Sequence, residues 1–203
     1  MTAPPFLWLY GPSDVGKSTL GWELFRLLSA AGVNGTYVDA DQLGLCYPIA
    51  PDDHFNHRLK AANLAAAWHG HRTAGAEYLI VSGFVETAAE IRVYADAVPD
   101  TTLTLCRLHA SPAALEARYL GRGHLTELLP DALRDAEDLE QGDLGGIRVL
   151  TDGLSPAELA RRLCDADGPW PILPRLSPPP LPPLTSLPLL PPLLPPRQAA
   201  SDV

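Results

Sequence analysis

The chain has 203 residues, room for one domain and something more, and a domain of about 150–170 residues buries roughly 70% of its unfolded surface, enough for a proper core. With 46% hydrophobic and 19% charged residues it reads as soluble and globular. Its net charge of -9 argues against nucleic acid as the main partner, since phosphate backbones are bound through clustered Lys and Arg. A small anionic ligand needs only a local positive site and stays open.

Cys46, Cys106 and Cys164 lie far apart and form no C-x-x-C pair, which points to a reducing compartment and no zinc site. Each is expected as a small buried apolar residue rather than a nucleophile. The opening "MTAPPFLWLY" lacks a basic n-region and meets a glycine turn after a few apolar residues, so it is expected to be a strand. No proline-free stretch approaches the roughly 20 apolar residues of a membrane span. The expected location is cytoplasmic, with no membrane partner.

Apolar runs and helical patterns alternate along the chain. "FLWLY" (6–10) is a short buried strand, followed by helical spacing over 17–32 that ends on glycine. "TYVDAD" (36–41) predicts a second strand, and the alanine-rich 54–75 a helix. "EYLIVSGF" (77–84) is apolar on both faces, as an interior parallel strand should be. A helix over 87–98 and a strand over 101–108 come next. Segment 111–123 opens on Ser111 and Pro112, an N-cap followed by proline at the first helical position. An acidic helix over 129–142, a fifth strand over 147–153 and a second Ser-Pro helix over 155–164 complete the series. Five alternations of strand and helix mean an α/β fold, a parallel sheet with helices on both faces.

After Gly168 the composition changes: 13 of the 22 prolines fall between Pro169 and Pro196, interleaved mainly with leucine. Proline supplies neither ladder nor helix hydrogen bonds, so residues 168–203 are expected as polyproline II or disordered, beside a domain spanning 1–167. "PLLPPR" (192–197) fits a PxxPxR recognition pattern and could dock a protein weakly; a passive tail, or leucines laid on the domain surface, are the alternatives.

The chemistry centres on "GPSDVGKST" (11–19). Gly11, Gly16, Lys17 and Ser18 satisfy G-x-x-x-x-G-K-[ST], which chance produces in roughly one chain of this length per hundred at a glycine usage near 7%. Leaving a strand and opening a helix, such a loop aims backbone N–H groups and a helix N-terminus at phosphates. Gly11, Ser13, Asp14, Val15, Gly16, Lys17, Ser18 and Thr19 would bind the nucleotide, ATP, with Lys17 on the β/γ oxygens and Ser18 on Mg²⁺. Asp14 is unusual. It tolerates the left-handed backbone that glycine often supplies there, but about 4 Å from a phosphate it would cost roughly 4 kcal/mol at an effective dielectric of about 20. It is expected to point outward into solvent.

Asp39 and Asp41 in "VDADQL" are placed at the C-terminal end of the second strand, two apart and so on one face. Either could act as general base on an acceptor hydroxyl or hold a Mg²⁺ water; a plain pair of turn carboxylates is the other reading. "VSGF" lacks an apolar run ending in Asp, and no N-K-x-D is present, which points away from motors and signalling GTPases. Arg118 and Arg122, four apart on one helix face, suit charge stabilisation on a transferring phosphoryl group, or form an exposed basic face. Arg58, Lys60 and Asn63 could contact an acceptor or lie on a solvated face. The six histidines show no metal-ligand spacing.

The order of these motifs, strand, G-x-x-x-x-G-K-S-T, D-x-D-x-L, an R…N helix and V-S-G-F, resembles adenylylsulfate kinase and chloramphenicol phosphotransferase-like proteins. "VDADQLGLCYP" and "CRLHASPAALEARYLGRG" look closer still to actinobacterial P-loop proteins of undefined substrate. The resemblance covers about residues 6–165. It implies a three-layer, kinase-type P-loop fold with strand order 2-3-1-4-5, Asp39 or Asp41 as the acceptor-side carboxylate, and Arg58 and Asn63 as substrate contacts. Where adenylylsulfate kinases carry an R-D-x-K-G-L-Y-like phrase, this chain reads "RYLGRGH", which departs from the pattern for adenylylsulfate itself. The expected function is an ATP- and Mg²⁺-dependent phosphotransferase on a small hydroxylated acceptor. The alternative is a nucleotide-binding regulator or adaptor, or a slow NTPase.

Overall fold

The computed structural model describes residues 3–123, 126–142, 144–165 and 167–170. Five strands, β1 (Pro5–Tyr10), β2 (Gly35–Asp39), β3 (Tyr78–Ser82), β4 (Thr102–His109) and β5 (Ile147–Leu150), form one sheet in the order β2-β3-β1-β4-β5. Every neighbouring pair is parallel. The helices are α1 (Lys17–Ala30), α2 (Ala40–Leu43), α3 (His57–Thr73), α4 (Ala88–Ala97), α5 (Pro112–Arg122), α6 (Leu129–Gln141) and α7 (Pro156–Cys164), with short 3-10 turns at His54–Asn56 and Thr126–Leu128.

The two-residue alternation of the central strand builds both halves of the core. Phe6, Trp8 and Tyr10 face the side covered by α3 and α4, against Leu64, Trp68 and Tyr94. Leu7 and Leu9 face α1 and α7, against Leu20, Leu24, Leu159 and Leu163. Gly21 lets α1 approach closely, because a Cβ there would overlap the ring of Tyr37. The Ser-Pro helix starts behave as expected: the Ser111 and Ser155 hydroxyls accept from the N–H groups of Ala114 and Glu158. Thr87 and Glu90 add a capping box to α4.

The expected strand over 36–41 stops at Asp39. Its carboxylate accepts from the Asp41 N–H at 3.0 Å and so caps α2, which turns the chain before Asp41 is reached. The alternation that would have put both carboxylates on one strand face is therefore broken. The helix expected from residue 54 begins at His57, after Phe55 and Asn56 pass through left-handed backbone at φ 57° and 58°. Cys106 and Cys164 are buried, their thiols pushed up to about 12 by burial, but Cys46 is exposed on the loop after α2, contrary to its expected burial.

The C-terminal stretch of the packed unit reaches Trp170. Its N–H donates to the Leu163 carbonyl at 2.9 Å, and its buried ring meets Tyr78 edge-on. The proline-rich stretch after it, including "PLLPPR", lies outside the described residues. Among the described residues no helix is long and apolar enough to cross a membrane.

Candidate nucleotide site

The loop between β1 and α1 is held from below. Gly11 sits at φ 143°, and a Cβ there would run into the Leu108 carbonyl of β4, so only glycine lets the loop lie this close to the sheet. Gly16 precedes α1 at φ 104°, and the buried Val15 anchors the turn. Lys17 Nζ donates to the carbonyls of Gly11 and Pro12 at 2.9 and 2.8 Å, curling back over the loop. Burial lowers the Lys17 pKa, against the opposing attraction of Asp41, Asp39, Asp135 and Asp14. Ser13, Ser18 and Thr19 lie along the same rim, all three exposed.

Ser18 Oγ donates to Asp39 Oδ2 at 2.7 Å, which brings the loop hydroxyl and the β2 carboxylate together. Beside them the Tyr37 hydroxyl and Ser82 Oγ share a hydrogen bond at 2.8 Å; Ser82 ends β3 in register with Asp39. Asp41 turns away to Lys60 Nζ at 2.8 Å. Lys60 is buried on α3 and occupies space that Gly44 leaves free. Of the two readings left open by the sequence, the solvated face is thus excluded for Lys60. Its signal was present: a lone lysine among the alanines and leucine of a helix that must cover the sheet.

Arg58 and Asn63 have other work. Arg58 pairs with Asp52 at 2.8 Å on the surface, and Asn63 Nδ2 donates to the Leu43 carbonyl at 2.8 Å, tying α3 to the end of α2. Two further groups join the site region without any sequence signal. Asp135 on α6 lies near enough to Lys17 to attract it. His57 Nδ1 meets the Tyr94 hydroxyl at 2.7 Å, and burial lowers its pKa.

On the other side of the loop, Arg118 donates through Nη1 to the Val15 carbonyl at 3.1 Å and Thr151 Oγ1 at 3.0 Å, and through Nη2 to the Thr151 carbonyl at 3.2 Å. It ties the loop to the end of β5. Arg122 Nη1 lies 2.6 Å from Asp14 Oδ1. The Asp14 side chain is only 6% exposed, so it faces α5 and its arginine, not solvent as expected. The left-handed turn at φ 60° aims the carboxylate at the guanidinium beside it. Asp14, Val15, Gly16, Thr19 and Leu20 line a cavity of about 360 Å³, closed by Arg118, Arg122, Thr151, Leu154, Pro156 and Leu159.

No protein-family model matches the chain, and no curated protein matches it at a significant level. Solved structures do. A gluconokinase from Sinorhizobium meliloti 1021 aligns with a TM-score of 0.54 at 23% identity, over 79% of this chain and 90% of that one. The tunicamycin resistance protein of Deinococcus radiodurans reaches 0.59 at 19% identity, over 79% and 94%. The Mycobacterium tuberculosis APS kinase, solved with AMPPNP and APS, reaches 0.57 at 18% identity, over 81% and 98%. The fold is that of the P-loop kinases. The strand order 2-3-1-4-5 expected from the sequence is the one observed.

Proposed function

We propose that the chain is an ATP- and Mg²⁺-dependent phosphotransferase that moves the γ-phosphoryl group to the hydroxyl of a small metabolite. The observation that carries this reading is the meeting of Lys17, Ser18 and Asp39 at the mouth of the glycine loop, with the cavity alongside. The APS kinase solved with a nucleotide analogue and APS shares the fold and supports the same use of it.

The backbone N–H groups of residues 13–19 would receive the phosphates, and Lys17 would exchange its two loop carbonyls for β/γ oxygens. Ser18 Oγ and Asp39 Oδ2, 2.7 Å apart, are a hydroxyl and a carboxylate, the all-oxygen set that suits Mg²⁺ with water and phosphate completing the shell. Bound there, the ion would neutralise charge on the β/γ oxygens. With Asp39 engaged on that side, Asp41 is the carboxylate left for the acceptor hydroxyl, oriented by Lys60. The acceptor oxygen forms its bond to phosphorus as the β–γ bridge breaks, ADP departs, and the hydroxyl proton passes to the carboxylate. Arg122, once released from Asp14, would meet the developing charge. Arg118 holds the loop in place through the carbonyl of Val15 and does not need to touch phosphate.

The Asp14–Arg122 pair favours a second reading, a nucleotide-binding regulator or slow NTPase, because it occupies the arginine the transfer would use. Incubation with γ-labelled ATP, Mg²⁺ and a panel of hydroxylated acceptors separates the two. Label on an organic product supports the transferase. Label released only as inorganic phosphate, at a rate no acceptor changes, overturns it.

A further inference from the structure

The outer edge of the sheet carries a groove that the site does not use. It runs between β5 and α7, measures about 340 Å³, and is lined by the apolar Ile147, Val149, Leu154, Leu159, Leu163 and Pro169 together with the charged Arg148, Asp152 and Arg162. β5 pairs with β4 alone, so among the described residues no strand adjoins its other side. Leu150 beside it is 49% exposed. An apolar sheet edge of this kind invites another chain unless something covers it.

The covering element is encoded next to the groove. Pro169 forms part of its wall, and Trp170 is fixed by its bond to the Leu163 carbonyl, so the chain leaves the described unit at the groove's own rim. The adjoining segment, "PILPRLSPPPLPPLTSLPLLPPLLPP" (171–196), has one charge, Arg175, in a run of proline and leucine. Such a segment is too apolar to favour water and, lacking proline N–H groups, cannot extend the sheet as a central strand. We propose that the stretch beginning Pro171-Ile172-Leu173-Pro174 of the same chain seats in this groove and shields the β5 edge. The reach is sufficient: the four residues of β5 span about 13 Å, and polyproline II covers about 3.1 Å per residue, so four or five tail residues match it. The prolines then end the sheet, since they offer no donors to a further strand. Leu154 and Leu159 line both this groove and the cavity beside the phosphate loop, so the seated segment also backs the wall of that cavity.

A nitroxide on Ser177→Cys in the full chain, with the exposed Cys46 replaced by serine, tests the seating directly. In an isotope-labelled sample the amide signals of β5 and of Leu159–Cys164 are expected to lose most of their intensity. Ile172→Asp combined with Leu173→Asp should restore them, and neither position lies in the described fold. Signal loss centred elsewhere, on the loop bearing Leu45 and Tyr47 for instance, or no localised loss, overturns the proposal. So does equal loss on isotope-labelled chains that carry no nitroxide when they are mixed with nitroxide-bearing chains, which would assign the groove to a second copy. Nucleotide is absent throughout, so the result does not depend on the proposed activity.

Discussion

Asp14 Oδ1 and Arg122 Nη1 stand 2.6 Å apart, joining the phosphate loop to the last turn of α5. A carboxylate inside a loop shaped for phosphate is thereby balanced by a cation from a distant part of the chain. The same bond holds that cation away from any phosphate. Asp14 thus does not abolish the positive character of the site; it keeps part of it closed.

Asp14→Asn keeps a side chain that tolerates the left-handed backbone and removes the charge. The hold on Arg122 is then weakened, and the repulsion toward phosphate is gone. ATP is expected to bind about tenfold more tightly, equivalent to about 1.4 kcal/mol. Isothermal titration calorimetry reads this directly, and equal or weaker binding would show that the pair does not restrain the site.

Much of this was legible in the sequence because the signals were local. The buried run of β1, the glycine loop and the two Ser-Pro helix starts each depend on neighbours within a few residues. Failures came where a partner lies far along the chain or a strand ends early. Nothing near Asp14 announces Arg122, and nothing near Lys60 announces Asp41. The different partners of Asp39 and Asp41 were hidden because a side-chain cap switched the backbone from strand to helix between them.

Under the proposed roles the two carboxylates differ in what their loss should cost. Asp39→Asn removes the negative charge beside Ser18 while keeping an amide oxygen that can still accept from the Asp41 N–H, and should cut turnover about a hundredfold or more with little loss of stability. Asp41→Ala leaves the buried Lys60 ammonium without its partner, and should cost about 1–3 kcal/mol of stability as well as activity. Urea unfolding beside a labelled-ATP assay compares them. Equal stability losses in the two variants would return the carboxylates to a shared role.

Glu86 and Asp135 make stability depend on pH. Burial raises both above their usual range, with repulsion from Glu90 and Asp135 adding to it at Glu86, and from Asp131 at Asp135, while Lys17 opposes the rise at Asp135. Asp138 adds to both; His54 opposes the rise at Glu86, and Arg134 at Asp135. A raised folded-state pKa means the fold binds the proton more tightly than the unfolded chain does. Their contribution to stability is therefore full below the ordinary values of 4.5 and 3.8, and is lost as pH rises through the folded ones. Glu86→Gln with Asp135→Asn should melt higher than the parent at neutral pH, with the gain vanishing in acid. A gain that persists below pH 3.8 would rule out titration as its cause.

Trp170 marks where the packed unit still holds the chain, although composition alone changes at Gly168. Its ring is 4% exposed, packed with Leu159, Leu163 and the end of α1, and its N–H is bonded to Leu163. Trp170 is thus fastened to α7 and to Tyr78 of β3 from a point beyond the last helix. Trp170→Ala should cost about 3–5 kcal/mol, the range for emptying a large aromatic site. Ending the chain at residue 169 should cost as much, while ending it at 170 should spare this packing. A denaturant midpoint that falls only when residues after 170 are removed would place the anchor in the proline-rich segment instead of in Trp170.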